Sequence, residues 1–288
     1  MKDYVIFTDS ACDIKPELLK EWGVDYECLT LKFQDSDEEF RNDEIQAYDF
    51  YKKMREGGIA KTAAVNTQIF KNSFKKHLDE GLDVLYLGFS SGLSTTYNSA
   101  RIAANELAEE CPGNTVVVVD TLSASAGFGL LVHLVCEKKA AGATLDEAAE
   151  YAKSLVPKMC HWFTVDDLVY LKRGGRISPA AAFFGNALGI KPVLHMDDEG
   201  HLIARSKVRG RRTAIAALAD KYGELADDKE NGTVFISEAD CLEDAKLLEK
   251  ILGERYGATV KLITDVGPVI GAHSGPGTLA LFFVGKNR

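Results

Sequence analysis

Three segments place hydroxyl and carboxylate side chains after an apolar run and before a helical stretch: Thr8-Asp9-Ser10, Ser90 to Thr95, and Asp120 to Ser125. A helix N-terminus presents free N–H groups and partial positive charge, and hydroxyls beside it add donors. Each segment therefore has the chemistry to hold a small anion. Capping the helix is the commoner use of Ser and Thr at such a place. The 90–95 segment exceeds what capping needs, with four hydroxyl residues and Gly92, which allows close backbone approach. Asp9 stands where a phosphoryl-accepting aspartate would stand, and also where a turn or capping aspartate would. A small-molecule kinase or phosphatase built on Asp9 and the hydroxyl loops is thus one reading.

Other residues narrow the chemistry. His273 lies in Gly271-Ala272-His273-Ser274-Gly275-Pro276-Gly277, where dense glycine and proline predict a shaped loop close to a ligand or another domain. His77, His133 and His161 carry no chemical signal. Two basic clusters, Lys172-Arg173-Gly174-Gly175-Arg176 and Lys207 to Arg212, read as solvated turns or as docking points for an acidic or phosphorylated partner. No G-x-x-x-x-G-K-[ST] or post-strand G-x-G-x-x-G occurs, which excludes a P-loop and a dinucleotide fingerprint. No G-x-S-x-G elbow accompanies Ser94. No His/Cys spacing suggests a metal, and no cofactor is expected.

The elements that position these residues follow from periodicity. Apolar runs at Tyr4–Phe7, Val84–Phe89 and Thr115–Val119 read as strands alternating with helices. The unbroken β-branched run at 115–119 suits a parallel strand covered on both faces. Residues 24–33 read as one strand and 35–44 as a charged loop. Asp13 reads as the cap of a helix with Pro16 in its first turn, Asn66 or Thr67 as the start of another, and Thr144 with Glu147 as a capping box. After Pro157 the pattern changes to strands at 160–165, 191–197, 201–208, 233–239, 258–266 and 278–286, with helices at 211–223 and 242–255. Asp198-Glu199-Gly200 reads as a hairpin turn. The expected fold class is α/β: an N-terminal three-layer α/β/α domain with a mainly parallel sheet (1–157) and a C-terminal α/β domain with a mixed, partly antiparallel sheet (158–288).

The 288 residues, 46% hydrophobic and 27% charged, exclude a disordered chain and a fibre. A net charge of −9 disfavours nucleic-acid and anionic-membrane binding, and so a regulatory DNA-binding role. No apolar run is long enough to span a bilayer. Six dispersed cysteines fit reduced thiols rather than a disulfide framework, and the chain reads as cytoplasmic.

Read together, Phe7-Thr8-Asp9-Ser10, Lys61-Thr62, Ser90-Ser91-Gly92-Leu93-Ser94, Asp120-Thr121, Leu171 to Ser178, Gly189-Ile190-Lys191-Pro192 and His273-Ser274-Gly275-Pro276-Gly277 resemble the DegV family of bacterial fatty-acid-binding proteins. The resemblance implies a non-catalytic carrier that binds one long-chain fatty acid between two domains. It also implies presentation of that acid to a separate ATP-dependent fatty acid kinase, which makes acyl phosphate for phospholipid synthesis. Thr62 and Ser94 would hold the carboxylate with His273 close by, and Arg209 would face the kinase. The family's Thr-Ser-Gln-Pro is here Thr62-Ala63-Ala64-Val65, and its Ser-Gly-Thr is Ser94-Thr95-Thr96. An acyl chain needs an apolar tunnel. Phe183, Phe184, Leu188 and Ile190, in the apolar stretch 180–190, are its candidate liners, or else ordinary core.

Overall fold

The structure is a computed structural model and describes residues 2–177 and 189–288. The chain enters through β1 (Tyr4–Asp9), a short 3-10 turn, α1 (Pro16–Glu21) and β2 (Val24–Glu27). It continues through β3 (Thr30–Phe33), β4 (Glu39–Arg41), α2 (Ala47–Arg55), β5 (Ala60–Ala63) and α3 (Thr67–Asp79). Then come β6 (Asp83–Gly88), α4 (Thr96–Glu110), β7 (Val116–Asp120), α5 (Ser125–Ala140) and α6 (Leu145–Leu155). The later half holds β8 (Met159–Thr164), α7 (Val169–Arg173), β9 (Ile190–Met196), β10 (Leu202–Arg209) and α8 (Arg211–Leu225). It ends with β11 (Val234–Glu238), α9 (Leu242–Tyr256), β12 (Val260–Asp265), α10 (Pro268–Ser274) and β13 (Leu279–Val284).

The strands form a parallel sheet β2-β1-β6-β7, a six-stranded sheet β10-β9-β8-β13-β11-β12 and a small sheet β4-β3-β5. The six-stranded sheet is antiparallel except for β11 and β12. Together they give the expected mixed α/β class. β6 is buried from Val84 to Gly88, because helices cover both of its faces. The hairpin of β9 and β10 forms as expected, and Gly200 supplies the left-handed backbone of its turn at φ +77°. The capping box at Thr144 is complete, and Asn66 caps α3 by accepting from Ile69 N–H.

α5 is apolar all round and buried from Ser125 to His133. A helix of that kind has no solvent face and needs packing on every side. It follows the parallel sheet's last strand and lies against β8, β11 and β13 of the mixed sheet. The largest hydrophobic cluster therefore runs through both halves, while a second fills the space between the mixed sheet and α8 and α9.

Four expectations are corrected. The segment 24–33 is two strands in two different sheets, broken at Cys28-Leu29 as the chain leaves one sheet for the other. The charged segment 35–44 contains β4, whose Phe40 is half-buried between exposed Glu39 and Arg41. β7 is parallel but lies at the sheet edge and is mostly half-buried; its valines reflect pleated-surface preference rather than cover on both faces. Asp13 does not cap α1, whose first turn follows Lys15; Asp13 sits in left-handed backbone at φ +53°.

Candidate functional site

A cavity of about 480 Å³ opens where the loop after β6, strand β5, the turn after α7 and helix α10 meet. Its size suits a small-molecule ligand, for which roughly 300–1,000 Å³ is usual. Thr62, Ser94 and His273 all line it, so three residues from distant segments of the sequence come together at one cavity. Ser91, Ala63, Ala64 and Thr95 at this end are exposed, which makes it the mouth. Beyond lie Phe89, Phe163, Val269, Ile270, Ala280 and Phe282, an apolar interior.

At the mouth, Thr62 Oγ1 and His273 Nε2 are 2.8 Å apart. Thr62 is carried by β5, registered opposite Leu31 of β3. His273 lies in the last turn of α10, not in a loop; the glycine and proline loop begins just after it. Burial, with the Arg176 charge adding to it, pushes the His273 pKa down to about 4, so the ring is neutral near pH 7. His273 Nδ1 has no partner. Gly174 makes room for it: a Cβ there would sit 2.2 Å from Nδ1.

Ser94 accepts from the N–H of Thr96, the first residue of α4, at 3.2 Å, and it lies 2.8 Å from Thr96 Oγ1 while lining the cavity. Gly92 lets this loop lie against the β9–β10 turn, since a Cβ would meet Glu199 O at 2.8 Å. Ser90 Oγ donates to Gly200 O across the same contact.

Other lining residues were not assigned to the carboxylate site from the sequence. Arg176, from the basic turn after α7, donates to Leu93 O and Gly174 O and brings a guanidinium to the mouth. The sequence marked it only as part of a basic cluster that reads as a solvated turn or a docking point. His161 lies inside the cavity on β8. Strand 159–164 is buried throughout, so its pattern could not announce which residues face a ligand. Phe183, Phe184 and Leu188 lie outside the described residues. Ile190 opens β9 opposite Arg209 and is not among the described residues lining the cavity. Arg209 is exposed at the end of β10, an edge strand. Its neighbour Arg211 is held by Asp244 at 2.8 Å instead.

Asp9 serves the scaffold. It is fully buried, and it accepts from Tyr86 O–H at 2.7 Å, Phe89 N–H at 3.0 Å and Ala11 N–H at 3.1 Å. It does not line the cavity among the described residues. Both oxygens are engaged and neither reaches solvent, so the carboxylate is not presented to a phosphoryl group. No group of His, Cys, Asp and Glu among the described residues could hold a metal, and all six cysteines are free. No described helix is long and apolar enough to cross a membrane.

The model of the DegV family of uncharacterised proteins matches residues 3–286. A DegV domain-containing protein of Clostridium perfringens is 40% identical over 290 aligned residues, covering 100% of this chain and 99% of its own. A fatty acid-binding protein of Thermotoga maritima is 35% identical, with 95% of each chain covered. The solved structure of a fatty-acid-binding DegV family protein from Thermus thermophilus superposes with a TM-score of 0.88 at 30% identity, covering 99% of this chain and 100% of that one.

Proposed function

The chain belongs to the DegV family, and from that premise we propose that it is a non-catalytic carrier of one long-chain fatty acid. The observation that carries this reading is the cavity, apolar inside and polar at its mouth. In this reading it lies between an N-terminal unit ending near residue 157 and a C-terminal unit beginning at 158. The carboxylate takes hydrogen bonds from Thr62 and Ser94, and Arg176 supplies the compensating charge. In the tautomer that carries its proton on Nε2, neutral His273 donates to Thr62 Oγ1, 2.8 Å away, and the Thr62 hydroxyl proton is left for the ligand. No metal is needed for this chemistry. Burying about 15 methylenes at ~0.8 kcal/mol each gives roughly 12 kcal/mol before ordering costs.

The fold relatives support binding; the finer role rests on the exposed mouth. A carboxylate held there stays within reach of a second protein. We infer that a cytoplasmic ATP-dependent kinase phosphorylates it, for use in phospholipid synthesis, and that Arg209 on the edge strand contacts that kinase. Denaturing extraction of freshly purified protein, with mass spectrometry of the extract, tests the carrier reading. One fatty acid per chain is expected. A protein that is empty and also refuses added palmitate and oleate refutes it. Arg209→Ala should lower acyl phosphate formation with the cognate kinase while fatty acid content is unchanged; full kinase activity would remove the assigned contact.

A further inference from the structure

The inner wall of the cavity is not apolar throughout. Ser237 at the end of β11 is fully buried and lines the cavity beside Val266, whose N–H donates to Glu238 O. Ser237 is registered opposite Ala280 of β13, which is registered opposite Phe163 of β8; Phe282 and its strand partner His161 lie two residues further along the same two strands. All five line the cavity. Polar groups thus share the inner wall with the apolar residues that would meet an acyl chain whose carboxylate sits at Thr62 and Ser94.

These groups are fixed. Ser125 Oγ donates to Asp13 Oδ2 at 2.5 Å and lies 3.0 Å from Ser237 Oγ. Ser125 is held at φ +53° and Asp13 at the same value. A non-glycine residue keeps such backbone only where its surroundings over-determine it. His161 is 3% exposed. Its Nδ1–H donates to Met159 O at 3.0 Å, so Nε2 is an acceptor. The donor that reaches Nε2 is Ala124 N–H at 3.5 Å, a long contact. Burial, Arg288 and His195 keep the ring neutral, so Nε2 stays an acceptor. A plain hydrocarbon laid across this wall adds no hydrogen bond to the Ser237 hydroxyl, whose partner is Ser125, or to His161 Nε2, whose partner is the long Ala124 contact.

We propose that this wall recognises a hydroxyl on the acyl chain, so that the preferred ligand class is a hydroxylated long-chain fatty acid. The inference rests on the carrier reading and sharpens its ligand. A hydroxyl both donates and accepts, so it satisfies His161 Nε2 as donor and Ser237 in either role. A keto group only accepts and gains nothing at His161.

Displacement of a fluorescent fatty acid from the delipidated full chain tests this, with stearic, 10-hydroxystearic, 12-hydroxystearic and 10-oxostearic acids as competitors. At least one hydroxystearic acid should displace the probe at a concentration about five-fold lower than stearic acid needs. The oxo acid, which can accept from Ser237 but has no proton for His161 Nε2, should gain less than the better hydroxy acid. Ser237→Ala and His161→Phe should each bring the hydroxy-to-plain ratio to one or invert it. If His161→Phe fails to fold by circular dichroism, Ser237→Ala decides alone. The inference is overturned if stearic acid competes as well as or better than both hydroxy acids, or if the folded variants keep the wild-type ratio. If no acid displaces the probe, the carrier reading falls as well.

Discussion

The loops after β1 and β6 leave the carboxyl ends of neighbouring parallel strands, and each leads into a helical turn. In the first loop the donors are consumed internally: the Asp9 carboxylate takes Ala11 N–H within the loop and reaches across to Phe89 N–H and Tyr86 O–H. In the second no carboxylate belongs to the loop itself. Its backbone is tied outward, by Asp120 to Ser91 N–H and by Ser90 to Gly200 O, and Ser94 is left at an open cavity. One topology therefore yields a structural clamp where the chain supplies its own anion, and a loop open to a cavity, the proposed receptor, where it does not.

The largest effect should come from the clamp. Asp9→Ala leaves three buried donors without their acceptor and should lower unfolding free energy by at least ~3 kcal/mol in urea denaturation. A loss below about 1 kcal/mol would make the two loops equivalent and restore Asp9 as a candidate for chemistry. The receptor should behave in reverse. Thr62→Ala with Ser94→Ala removes two bonds to a charged group and should weaken fatty acid binding about 100-fold, with stability changed by ~1 kcal/mol or less. Full copurified occupancy in that double variant would sink the mouth as the carboxylate site.

Gly174→Ala should weaken binding about ten-fold by titration with palmitate, since its methyl must push His273 away from Thr62. Unchanged affinity would show that His273 does not position Thr62. The smallest effect concerns pH. His273 has a folded pKa near 4, below its ordinary 6.5, so unfolding takes up a proton between those values. Its stabilising contribution is complete above pH 6.5 and is lost as pH falls toward 4. His161 and His195 are shifted the same way. The difference between wild type and His273→Gln isolates the one ring. Wild type should lose about 1 kcal/mol more than the variant between pH 7 and 5.5; parallel curves would exclude it.

Long apolar runs and turn chemistry made most elements readable: β6, the β9–β10 hairpin, α8, α9 and the box at Thr144 stand where residue patterns place them. The sheet β4-β3-β5 was not readable, because strands of three or four residues hold too few positions to establish a period of two. That mattered for function, since β5 carries Thr62. α10 was hidden by Pro268 and Gly271; the latter exists for packing, as a Cβ would meet Tyr51 OH at 2.3 Å. His273 and the loop of Ser94 stood out by their own neighbours, Thr62 was named through family resemblance alone, and the cavity brings the three together. Arg176 and His161 depend on which way a turn and a buried strand face, which is settled only by tertiary packing.

The order of strands in the mixed sheet also governs how the chain can fold. β13 comes latest in sequence yet sits in the middle, between β8 and β11. Until it is in place, β10-β9-β8 and β11-β12 are separate pieces, and α5 has no floor to bury its second face. A ribosome-bound chain that has not yet released residues 279–284 therefore carries an unsheltered apolar helix, and ligand pocket and cooperative fold are completed in the same late step.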